Sequence, residues 1–150
     1  VLDDLERRDP EVVRRALKEL AREGAAAVRP YLDRALADPR PRVSDLAARM
    51  LRTQGTRAEH LALARERLHD RRVTVRVSAI RSLANARDAA ALPALVALLL
   101  APENAVRNAA RAAIGLYGEA ALRCIDEVAR RERPDRARRL AAEREALASN

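Results

Sequence analysis

The sequence predicts an all-α protein built from stacked two-helix repeats. Three observations carry that prediction. An apolar triplet at i, i+4, i+8 occurs four times, as Val12, Ala16 and Leu20; Val43, Ala47 and Leu51; Val75, Ala79 and Leu83; and Val106, Ala110 and Ile114. The leading valines step by 31, 32 and 31 residues, and a fixed interval of this size marks a helical repeat array. The composition agrees, with 49% apolar and 35% charged residues, aromatics at 1%, and neither Trp nor Phe. Ala, Leu, Arg and Glu are good helix formers, and alanine-rich faces let helix axes approach toward the short end of ~8–10 Å.

Taken in order, Val1–Arg8 reads as the end of a first helix, with Leu5 seven residues before Val12 as Leu36, Leu68 and Leu99 precede their own valines. Asp9-Pro10 then breaks and restarts the chain. An Asp carboxylate accepts from the orphan N–H groups of a helix start, and Pro suits the first helical position. The second helix closes at Gly24, a residue able to take the left-handed conformation that ends helices. Gly55 and Gly118 share this column, with Arg87 in the third copy, while Asp38-Pro39, Asp70 and Ala101-Pro102 mark the later turns. The pattern places helices near 2–8, 10–23, 28–37, 41–53, 58–69, 72–84, 90–100, 103–116, 119–131 and 135–147. They group into one domain of repeats at about 1–24, 25–55, 56–87, 88–118 and 119–150.

The fifth repeat is degenerate. Ala137 stands where the next valine is due, and Arg130, Arg131, Arg133, Arg136, Arg138, Arg139 and Arg144 crowd the segment among Glu132, Asp135, Glu143 and Glu145. Arrays need an end unit with a polar outer face, so a capping helix is the first reading. A solvated tail and a basic docking site are the alternatives.

The formal charge is +8, which is compatible with nucleic-acid binding, yet each half of the chain carries +4 and no one-sided basic tail exists. Lys18 is the only lysine among 30 basic residues, which points to a GC-rich genome. Cys124 is alone, so an internal disulfide is excluded and a reducing, cytoplasmic setting is expected. The longest apolar run, Ala89–Ala101, has 13 residues, short of the roughly 20 that span a bilayer. The chain opens on Val and not Met, and a leader or a larger parent protein trimmed away is the expectation.

The phrases DPEVVRRALKEL, DRRVTVRVSAIRSL and APENAVRNAARAAIGLYG resemble HEAT repeats, nearest to the short bacterial form named after phycobiliprotein lyases. The resemblance implies a right-handed α-solenoid of about five two-helix repeats, with second helices lining a concave face. It also implies a ladder in which the turn aspartates Asp38 and Asp70 meet arginines after the signature valine, here Arg76 and Arg107. Val13 and Ser44 fill that position in the first two copies, so the ladder is partial.

On a wheel at 100° per residue, positions 0, +3, +4, +7 and +8 from each valine face the core, and +2, +5, +6 and +9 face outward. The outward positions bring Arg14, Leu17, Lys18, Arg49, Arg52, Val77, Ile80, Arg81, Asn108 and Arg111 to one candidate partner-binding face, along with Ala48, Ala84 and Ala112. In this arrangement aliphatics bury against a partner while cations meet its carboxylates or phosphates.

Catalysis has little to stand on. His60 and His69 are nine apart, off the i, i+4 spacing of helical metal ligands, and no Cys joins them, so no metal or other cofactor is expected. Cys124 reads as a packed thiol rather than a nucleophile, and Asp126-Glu127 diverge on their helix. Tyr31 and Tyr117 are the only aromatics and stand in unlike columns, which provides no base-stacking platform. HEAT-like alkylated-DNA glycosylases use an aromatic-lined cleft, and this chain has no Trp. The expected role is a non-catalytic scaffold that binds a protein, or another domain of its parent chain. Sequence-independent binding to nucleic-acid phosphates is the alternative, and a glycosylase or lyase activity the remote one.

Overall fold

A computed structural model describes residues 9–150, which are helical with no strand among them. The expected helix at 2–8 and the role of Leu5 lie outside the described residues. Nine α-helices follow: α1 (Pro10–Glu23), α2 (Ala25–Leu36), α3 (Pro41–Gln54), α4 (Arg57–Arg67), α5 (Val73–Asn85), α6 (Leu92–Ala97), α7 (Asn104–Gly115), α8 (Glu119–Arg130) and α9 (Pro134–Ala148), counted over the described residues. The described residues fall into two compact units that divide between His60 and Leu61, inside α4.

Unit 1 packs α1, α2 and α3 against one another. α1 begins where its cap chemistry predicts: Asp9 is the N-cap, its Oδ1 accepting from Glu11 N at 2.9 Å, and Pro10 opens the helix. Gly24 ends it at φ 124°, a conformation that L side chains avoid. Gly55 is glycine for another reason. Its φ of −91° is extended and not left-handed, but a Cβ there would lie 2.6 Å from both the carbonyl oxygen and Cδ1 of Leu51. α2 starts three residues earlier than the sequence places it, so Pro30 lies inside the helix, where its missing N–H leaves one intrahelical bond unmade.

Unit 2 packs α5 on α7, α6 on α7 and α8, and α8 on α9. Its core joins Leu83, Leu95, Val96, Leu99, Val106 and Ile125, with Leu140 of α9 fully enclosed. The expected helix at 90–100 is split: 3-10 turns at Ala89–Ala91 and Leu98–Leu100 flank α6. Pro93 cannot donate to the carbonyl four residues back, and the tighter turn at the entry follows from that. Arg87 takes the glycine column's positive φ, at 48°.

The apolar triplets are the seam of both units. Ala16, Leu20, Val43, Ala47, Leu51, Val75, Ala79, Leu83, Val106, Ala110 and Ile114 are buried. In the first copy only the leading position moves, with Val13 buried and Val12 half-buried.

Three outward assignments are overturned. Leu17 and Ile80, expected to face a partner, are each 0% exposed, and Ala84, one turn after Ile80 on α5, is 3% exposed. The wheel assumed one buried side per helix. α1 instead packs on both α2 and α3, and its buried arc runs from Ala16 through Leu20 and Val13 to Leu17 at position +5. At the same position in α3 and α7, Ala48 is half-buried and Arg111 exposed, so the arc differs between copies.

Candidate binding groove

What remains of the outward face differs between the units. In unit 1, Arg14 donates to Glu11 at 2.8 and 3.1 Å, and Glu11 also accepts from Arg42 at 2.9 Å. Arg14 is therefore held on its own helix. Lys18, Arg49 and Arg52 are exposed and have no hydrogen-bond or ion-pair partner among the described residues. Lys18 and Arg49 occupy the same register position of the packed helices α1 and α3. His60, whose imidazole is partly buried near Arg52, is pushed below its ordinary pKa first by desolvation and then by that charge.

In unit 2 the corresponding faces of α5 and α7 enclose an open groove of about 440 Å³. Its floor is paved by Ala84, Ala109, Ala112 and Ala113, and its walls include Val77 and Leu116. Leu116 is 45% exposed, the one exposed large hydrophobic side chain among the described residues. Three expected binding residues, Val77, Arg81 and Asn108, line this groove, and Asn85 adds a second amide. Arg81 is exposed and unpartnered among the described residues.

Arg111 is not available as the sequence expected. Its guanidinium grips Glu143 of α9, Nε at 3.0 and 2.9 Å from the two carboxylate oxygens and Nη2 at 2.7 Å from Oε1. That bond raises the Arg111 pKa above its already high value. Nη1 donates to Asn108 Oδ1 at 2.9 Å, which ties that groove-lining amide to the same clamp. No local pairing rule connects residues 111 and 143, so nothing in the sequence signals this link.

The implied Asp–Arg ladder is replaced by other pairs. Asp38 accepts from Arg40 N at 2.9 Å and is forked by Arg40 Nε and Nη2 at 2.8 and 2.6 Å. Asp70 accepts from Arg72 N at 2.8 Å and Nε at 3.2 Å. Arg76 reaches Glu103 at 2.6 Å, while Arg107 donates to the carbonyls of Ala101 and Pro102 at 2.7 and 2.6 Å. The physical cause is proximity: Arg40 and Arg72, two residues on, engage their aspartates within the turn. Arg76, Arg107, Asp38 and Asp70 thus brace turns and join neighbouring elements.

Tyr117 does the same. Its hydroxyl donates toward Asp88 O at 3.0 Å and Leu83 O at 3.3 Å, fastening the α7–α8 turn to the end of α5. Burial, reinforced by Asp88, raises its pKa. Cys124 is buried in the core, and desolvation followed by the Glu127 charge raises the thiol pKa, the opposite of an activated nucleophile. Asp126 is paired with Arg144 Nε at 2.8 Å. α9 packs on α8 as an ordered helix, also tied by Arg136 to Glu132 at 2.7 Å, while Arg130, Arg131, Arg133, Arg138 and Arg139 remain exposed.

No protein-family model matches the sequence, and no curated protein does. Among the solved structures that match is the crystal structure of an engineered protein from the Northeast Structural Genomics Consortium. It is 21% identical with a TM-score of 0.52 over 84% of this chain and 65% of that chain, a likeness of fold alone.

Proposed function

We propose that this chain is a non-catalytic interaction module, a right-handed α-solenoid of HEAT-like two-helix repeats that binds another protein or another domain of its own parent chain. The repeat interval and the buried triplets support the architecture. The single observation that carries the function is the apolar groove on α5 and α7, lined largely by alanines and open to solvent. An apolar groove between two helices is a recurring setting for recognition of a partner protein's helix. Among the described residues no helix is long and apolar enough to cross a membrane, and a cytoplasmic location belongs to the same proposal.

Cross-linking and capture with wild type and Ala112→Arg tests it. Ala112 is exposed in the groove, so Arg there fills the cavity without entering the core. Capture of the same partner by both proteins, with equal helicity, rules the groove out.

A second reading rests on unit 1, where the exposed and unpartnered Lys18, Arg49 and Arg52 favour contact with nucleic-acid phosphates. Such binding releases counterions and weakens steeply with salt. A gel shift at ~50 mM salt with duplex and single-stranded probes decides the matter, and absence of a complex removes this reading.

A further inference from the structure

The groove has a chemical polarity that narrows its partner. Its floor is almost entirely alanine, and small side chains let an incoming helix axis approach toward the short end of ~8–10 Å. Along α7 the lining runs from Ala105 to Leu116, about 16 Å at 1.5 Å per residue, which matches three turns of a helix laid against it. The groove is open along this length rather than enclosed, which favours a helix over a small molecule.

The charge on the rim is positive. No Asp or Glu lines the groove, and its charged lining residue is Arg81, unpartnered among the described residues. Asn108 accepts from Arg111, and Arg111 is itself pinned by Glu143, so that guanidinium is not the one offered to a partner. A basic partner would meet repulsion at this rim, whereas a carboxylate beside the docked ridge would gain a charge-assisted hydrogen bond.

We infer that the α5–α7 groove docks an amphipathic helix of a partner protein, with an aliphatic ridge on the alanine floor and an Asp or Glu carboxylate against Arg81. The inference rests on the interaction-module reading and specifies the partner's chemistry. It is a helix-in-groove mode, in which i, i+3, i+4 and i+7 side chains supply the anchors.

A display library of amphipathic helical peptides, selected against the full chain, tests it. The predicted binders combine aliphatic residues at helical spacing with a flanking Asp or Glu. They weaken at least about tenfold on Ala112→Arg and about tenfold on Arg81→Glu, and retain binding to Arg81→Lys. Ala105→Trp blocks the floor from its other end and replaces Ala112→Arg if circular dichroism shows that variant misfolded. Groove-dependent binders that are neutral or basic, and indifferent to Arg81→Glu, overturn the acidic-helix inference and leave the interaction module standing. Binders insensitive to both floor substitutions overturn the two together.

Discussion

Units 1 and 2 use one register for two different surfaces. At positions +2 and +6 from the leading valine, α1 and α3 carry Arg14, Asp45, Lys18 and Arg49, whereas α5 and α7 carry Val77, Asn108, Arg81 and Ala112. The first set leaves exposed cations at Lys18 and Arg49, and the second leaves an apolar groove with one free cation among the described residues. Register decides which way a side chain faces. Residue identity at that register decides what it recognises, so the repeat interval alone says little about partners.

The comparison breaks first at position +5. Leu17 and Ile80 are fully enclosed in separate units, and truncating either leaves a cavity costing ~2–5 kcal/mol. Urea unfolding of Leu17→Ala and Ile80→Ala checks this. A loss near zero in either would restore the outward facing that the wheel assigns and give that unit a larger apolar surface.

A smaller effect separates seam from surface. Ala79 is buried at a helix contact, so Ala79→Leu overpacks it and costs ~1–3 kcal/mol, whereas Ala48→Gln and Ala112→Arg, on half-buried and exposed positions, change thermal stability little. Equal effects at Ala79 and Ala48 would refute the facing of these helices.

Tyr117→Phe removes the hydroxyl bridging to Asp88 and Leu83, a local fastening of unit 2, and is expected to cost ~0.5–1.5 kcal/mol. Hydrogen exchange should speed up at the α7–α8 turn and the end of α5 while leaving α1 to α3 unchanged.

Acid acts on both units alike. The Arg40 guanidinium holds Asp38 below the usual carboxylate range; at Asp70 partial burial pushes upward, but the Arg72 bonds outweigh it. A depressed carboxyl pKa stabilises the fold fully above the unfolded value near ~4 and ceases to do so as pH falls through the lower folded value. Asp38→Asn and Asp70→Asn should each flatten the acid limb of thermal stability modestly. Identical acid limbs in wild type and both variants would show that these turn pairs contribute nothing.

Much of the fold was legible in the residues themselves. Asp9-Pro10 and Gly24 bound α1 where the sequence places it, because capping chemistry is local. The seam was legible because four triplets repeat at one interval. The facing of Leu17 and Ile80 was not, since the width of a buried arc depends on how many neighbours a helix has. The Arg111–Glu143 clamp and the Tyr117 bridge span 32 and 29 residues, beyond any pairing rule that spacing supplies. Of the candidate site, Val77, Arg81 and Asn108 come together in the groove, while Arg14 and Arg111 are taken up by carboxylates of this chain.

The most direct measurement compares partner affinity of wild type, Ala112→Arg and the Lys18→Glu/Arg49→Glu double variant, each verified as folded. The groove account predicts binding lost with Ala112→Arg and retained within a few-fold by the double variant. Retention by Ala112→Arg with loss in the double variant would contradict it and move recognition to the cations of unit 1.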